Sequence, residues 1–95
     1  MATGPHMTLV YDYVPDILER RAPHREAHLA WIAEWIGTGA MLMAGATGDP
    51  PTGALFVFAD VGEAEVARFA DGDPYRAAGL VTAHRIAPWT VVASA

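Results

Sequence analysis

Cysteine and lysine are both missing from this chain of 95 residues, and Ser94 is its only serine. Without cysteine there is no disulfide, no thiolate nucleophile and no thiolate metal site, and a reducing compartment suits such a chain. With Ser94 alone near the C-terminus, a Ser-His-Asp triad lacks its attacking group. The net charge of −5 leaves no basic stripe for a phosphate backbone, so no nucleic-acid partner is expected. Long hydrophobic runs are missing too. None approaches the ~20 residues of a membrane span, and no charged start leads into an apolar signal segment. The expectation is a cytoplasmic protein without a membrane or nucleic-acid partner.

What is abundant is apolar material. Hydrophobic residues make up 53% of the chain, yet a domain this short buries only about 60–65% of the surface that its unfolded form exposes. The surplus predicts a subunit interface, and hence a homodimer. The opening MATGPHM reads as an expression-tag remnant over residues 1–6, with Met7 as the natural start and residues 7–95 as one domain. His6 is accordingly set aside from the chemistry.

Taken in order, Thr8 to Tyr13 is β-branched and aromatic with alternating character, and predicts a first strand ended by Pro15. Asp16 to Arg21 reads as a loop or a loose helical turn. Pro23 then opens the first helix, which runs to Ile36 and stops at Gly37-Thr38-Gly39. Ala40–Ala46 and Leu55–Ala59 are apolar runs flanking GATGDPPTG, an antiparallel hairpin whose near-continuous hydrophobicity calls for cover on both faces. Asp60 is expected to cap a helix over Gly62–Ala70 that Asp71-Gly72 breaks. Asp73-Pro74 then restarts a short turn through Ala78, and Val81–Val92 holds the last strand. Pro88 inside that strand suggests an edge position, a bulge or a bend. The order βαββαβ is the ferredoxin-like arrangement, an α+β fold with an antiparallel sheet. Its free sheet face would meet a second copy across a two-fold axis.

The first helix carries the chemistry. At about 100° per residue, Arg25, Leu29, Ile32 and Ile36 share one stripe, which reads as core from Leu29 onward, and His24, His28, Trp31 and Trp35 share the next. Two imidazoles and two indoles suit the wall of a pocket. His28 is either a satisfied structural histidine or a general acid–base whose imidazole titrates near neutral pH. Asp73 is explained as an N-cap, and such a cap can also point into a cleft and fix the tautomer of His28. His24 and His28, at i and i+4, have the spacing for one zinc ion, with His84 or Asp73 to complete it. The glutamate is Glu26, however, so the H-E-x-x-H pattern is absent. Gly37, Gly39, Gly45 and Gly48 make no phosphate-binding fingerprint. Arg25 and the preceding Arg20-Arg21 sit at the positive end of the helix dipole, where an anion, from the protein or from a ligand, would compensate. Tyr75 is packing or a phenolic donor.

In sequence order, Arg21-x-x-x-Arg25-x-x-His28-Leu29, Ala44-Gly45, Asp73-Pro74-Tyr75 with Ala78-Gly79, and Ile86-x-Pro88-Trp89 form a set that resembles the YciI-like, or YCII-related, family over nearly the whole chain from Met7. The resemblance implies a ferredoxin-like protomer of a dimeric α+β barrel, with a site built on a histidine and an aspartate, here His28 and Asp73. One branch of that family is similar to a dehydrochlorinase acting on a chlorinated hydroxyhydroquinone, and muconolactone-isomerase-like enzymes share the barrel. The implied chemistry is cofactor-free proton transfer on a small cyclic or aromatic compound. His28 would shuttle the proton and Asp73 orient it. Arg25 and Tyr75 would steady an anionic or phenolic substrate, with Trp31 as apolar wall and Gly45 at the rim. The competing expectation is a non-catalytic domain that binds a small molecule or serves a partner, in which His28 is fully satisfied and no open cavity reaches it.

Overall fold

The computed structural model describes residues 4–95. A β-branched, aromatic stretch forms β1 (Gly4–Tyr13), which starts earlier than Thr8. Of the expected tag remnant, residues 1–3 lie outside the described residues, whereas Gly4–His6 pair in β1 and His6 is buried against Trp89. A helical turn α1 (Ile17–Arg20) and a 3-10 turn (Ala22–His24) lead into α2 (Arg25–Gly37). The hairpin follows as β2 (Met41–Thr47) and β3 (Gly53–Ala59), then α3 (Glu63–Gly72), the short α4 (Pro74–Ala77) and β4 (Val81–Val91). All neighbours are antiparallel in the order β2-β3-β1-β4, the ferredoxin-like topology that the element order predicts. Pro88 falls on the edge strand β4, where a missing N–H leaves no gap in the ladder.

One sheet face holds the core. Met7, Leu9 and Tyr11 of β1 lie beside Ala54, Phe56 and Phe58 of β3, and Val66, Phe69 and Ala70 of α3 pack on them. Burial of such side chains contributes on the order of 1.5–3 kcal/mol each. The strand period of two sends Val10, Leu55 and Val57 to the other face, in register with Met43 and Arg85. There Met43, Leu55 and Trp89 remain 62%, 39% and 45% exposed. Among the described residues no helix is long and apolar enough to cross a membrane.

The helix expected to open at Pro23 begins instead at Arg25. Pro23 has no N–H to give, and the chain tightens into the 3-10 turn, where the His24 N–H bonds the Arg21 carbonyl at 2.8 Å. Asp60 does not cap α3. It sits at φ 60 in the preceding turn, and Gly62 takes the N-cap with its carbonyl accepting from Glu65 and Val66. Gly72 is no breaker but part of the last turn of α3. The Trp31 indole lies against it where any Cβ would collide.

On α2 the stripe expected to be core is split. Leu29 and Ile36 are each 46% exposed, while Ile32 packs against the core together with Trp31 and Trp35 of the neighbouring stripe. An indole buries more apolar surface than Leu or Ile, and the Trp31 Nε1–H finds the Phe69 carbonyl at 2.9 Å. Sinking the tryptophans therefore wins the rotation of the helix, and the Leu29 stripe is left to line a cavity.

Candidate active site

The break between α3 and α4 builds the site. Asp73 is in extended conformation at the N-cap of α4, and its Oδ1 accepts the Tyr75 backbone N–H at 3.0 Å, as Asp-Pro at a helix start leads one to expect. The same carboxylate turns inward beneath α2 and is completely buried. Its Oδ1 also accepts from His28 Nδ1 at 2.7 Å, and its Oδ2 accepts from Tyr11 Oη at 2.8 Å. Three donors on three elements hold the group, which is what a carboxylate removed from water requires. One side chain therefore both caps α4 and holds His28.

That geometry sets the tautomer of His28. A carboxylate can only accept, so Nδ1 carries the hydrogen, and in the neutral ring Nε2 keeps its lone pair. The ring is clamped on its flanks: it stacks on Tyr75 at 3.6 Å and 5°, and meets Phe56 nearly edge-on at 6.5 Å. Only 5% of His28 is exposed, and that remnant borders a cavity of about 260 Å³ between α2 and the hairpin strands. Nε2 makes no hydrogen bond within the described chain, and it is not among the sealed polar atoms.

Around this cavity the structure gathers Arg25, Tyr75 and Gly45 with His28, together with Arg21, Tyr13, Leu29 and Ile32. Trp31 is not there. It points from the other side of α2 toward Phe69 and borders a separate, more open groove of about 730 Å³, also lined by Trp35 and Arg68. Among the described residues no hydrogen-bonded pair of titratable groups lines the larger hollow, whereas the smaller one has His28, paired with Asp73, at its wall. The zinc alternative finds no cluster: among the described residues no three of His, Asp and Glu stand together, His84 is exposed on β4, and His28 Nδ1 is already engaged by Asp73.

Two phenols escaped the reading of the sequence. Tyr11 and Tyr13 were recognisable as alternating strand residues, but an inward tyrosine must find a partner for its hydroxyl. That requirement was the available signal, and Asp73 is the partner of Tyr11. Burial first, then the charge and hydrogen bond of Asp73, push the Tyr11 phenol far above its ordinary value, so it stays a donor. Tyr13 is also pushed up, chiefly by burial, with Tyr75 and Asp73 adding and Arg21 and Arg25 opposing.

The family model of the YCII-related domain matches residues 5–90. The chain belongs to the YCII-related family. Among solved structures this YCII-related chain is similar to a 5-chloro-2-hydroxyhydroquinone dehydrochlorinase from Burkholderia phenoliruptrix AC1100, in complex with 2,5-dihydroxybenzoquinone. The two share 24% identity and superpose with a TM-score of 0.75, covering 90% of this chain and 93% of that one. A protein from Agrobacterium tumefaciens is similar at 11% identity and a TM-score of 0.57, over 90% and 91% of the two chains. At such identities the likeness speaks for the fold. Among curated proteins none matches the chain.

Proposed function

We propose that this YCII-related protein is a small cytoplasmic enzyme of lyase or isomerase type, in which His28 and Asp73 perform general acid–base chemistry on a small cyclic or aromatic metabolite. The observation that carries the reading is the oriented imidazole: Nδ1 bound to a buried carboxylate, Nε2 unpaired at the wall of a cavity. Nε2 takes a proton from the substrate, the Asp73 charge stabilises the imidazolium that forms, and the proton is returned or released as the product leaves. Asp73 acts through His28 as its positioning residue.

The dehydrochlorinase relative supports elimination as one form of this chemistry. Loss of HCl breaks a C–H and a C–Cl bond. The base takes the proton, the C–H electron pair becomes a new π bond, and chloride carries away the other pair. No oxidant, reductant or cofactor enters that balance. Arg25, Tyr75 and Gly45 line the hollow in which the ring would sit. Trp31 takes the supporting part, holding α2 on α3 behind the site through its bond to Phe69. The exposed apolar sheet face supports a homodimer with one such site in each protomer.

A non-catalytic small-molecule-binding domain is the competing reading, and it would have His28 sealed and satisfied at both nitrogens. The test is turnover of 5-chloro-2-hydroxyhydroquinone, read as chloride release, and of a panel of cyclic and aromatic acids and lactones, with wild type, His28→Ala and Asp73→Asn. Removal of a general base is expected to slow turnover by roughly 10²–10⁴-fold. Full turnover in either variant overturns the mechanism, and a panel that the wild type leaves untouched favours the binding domain.

A further inference from the structure

Gly72 closes α3 at a position that makes no use of a glycine's backbone freedom. Its φ is not left-handed, unlike those of Gly39, Gly48 and Gly79, and glycine is the poorest helix former after proline. What the position does require is the absence of a side chain. A Cβ there would stand 2.5 Å from Cζ2 of Trp31 and 3.0 Å from its Cη2, carbons of a flat and rigid ring. The indole is not free to swing aside. Its Nε1–H is bonded to the Phe69 carbonyl at 2.9 Å, its ring stacks on Phe69 at 6.1 Å, and the Trp35 ring meets it edge-on at 6.0 Å.

Asp73 follows Gly72 directly, and His28 lies one helical turn before Trp31. One face of α2 therefore touches the junction of α3 and α4 twice, at Gly72 through the indole and at Asp73 through the imidazole. To admit a Cβ at Gly72, the indole would have to retreat by about 1 Å to reach ordinary carbon–carbon contact, and its three partners tie that retreat to α2 as a whole. The same movement would carry His28 Nδ1, now 2.7 Å from Asp73 Oδ1, beyond hydrogen-bond reach. We propose that Gly72 is a positioning residue for the acid–base pair: its missing side chain lets α2 close to the distance at which Asp73 takes the Nδ1 hydrogen of His28. The inference rests on the acid–base reading for what the pair does, and adds what sets its spacing. Gly72 does not line the His28 cavity, so its influence on a substrate passes through His28.

Gly72→Ala tests this, read by nitrogen-15 NMR of the imidazole and by turnover of the compounds named above. The neutral His28 ring of the variant is expected to lose its preference for hydrogen on Nδ1. Turnover should fall at least about 10-fold with KM near the wild-type value, since a misplacement of about 1 Å can cost on the order of 10²-fold. A merely less stable fold would lower the melting temperature and leave the tautomer as it was. Adding Trp31→Phe removes the outer ring carbons that the new methyl meets, and should restore both tautomer and turnover. If Gly72→Ala alone does not fold, the double variant carries the test: folded with the wild-type tautomer it supports the proposal, and unfolded it overturns it. A wild-type tautomer in Gly72→Ala, or a loss that Trp31→Phe does not reverse, overturns it as well. A tautomer moved by Gly72→Ala beside turnover that His28→Ala leaves unaffected would sink the acid–base reading alone, whereas His28-dependent turnover with a tautomer indifferent to Gly72 would sink only this inference.

Discussion

The imidazole of His28 lies parallel to the phenol ring of Tyr75, 3.6 Å away, two residues beyond the aspartate that holds its Nδ1 at 2.7 Å. One short turn thus supplies both the carboxylate that fixes the tautomer and the surface that fixes the plane of the ring. Pro74 between them presets the helical φ that brings the two into reach of α2. The dyad is therefore as rigid as the Asp73 cap, and the cap is as rigid as its three donors.

Tyr11 is the donor farthest from the chemistry and the simplest to remove. Tyr11→Phe leaves Asp73 Oδ2 buried without a partner, a loss of about 1–3 kcal/mol in stability. Urea denaturation reads that loss. Turnover should fall while the KM stays near the wild-type value, because Tyr11 touches the carboxylate and not the cavity. A variant as stable and as active as wild type would remove Tyr11 from the account.

Alkaline pH should weaken the fold through the same phenols. Tyr11 and Tyr13 hold their protons more tightly folded than unfolded, where the ordinary value is 10.0. Their contribution is complete below that value, and it declines as pH rises above it because the unfolded chain ionises first. Denaturation midpoints measured across that range should fall with pH. The fall should be shallower in Tyr11→Phe, whose remaining steep group is Tyr13.

The bare sheet face calls for a charge placed on its exposed apolar side chains. Met43 is 62% exposed and in register with Val57. Met43→Glu should convert a dimer into a monomer in light scattering at micromolar concentration, with the far-UV circular dichroism unchanged. A wild-type protein that is itself monomeric under those conditions would contradict the dimer proposal.

How much of this was legible in the chain differs from residue to residue. Asp73-Pro74 announced a helix start because cap chemistry is local, and Pro88 announced an edge, a bulge or a bend because a missing N–H is local as well, the edge being the one the strand order shows. His28 and Asp73 could be nominated one by one. Their union was implied by the family resemblance and not by spacing, since a contact across 45 residues depends on how α2 rotates on the sheet. That rotation went against the apparent Leu29–Ile36 stripe because the indoles had an aromatic core to enter, built by Phe56, Phe58 and Phe69 from distant segments. Asp60 failed as a cap for a nearer reason: its backbone turns left-handed three residues before the helix begins.

The claim on which the rest depends is that Asp73 holds the Nδ1 hydrogen of His28 and leaves Nε2 bare toward the cavity. Nitrogen-15 NMR of the imidazole, in wild type and in Asp73→Asn, measures this directly. The account predicts a single tautomer with hydrogen on Nδ1 in the neutral ring of the wild type, and loss of that preference in the variant. A wild-type ring protonated on Nε2 with Nδ1 bare, or a tautomer indifferent to Asp73, would contradict it.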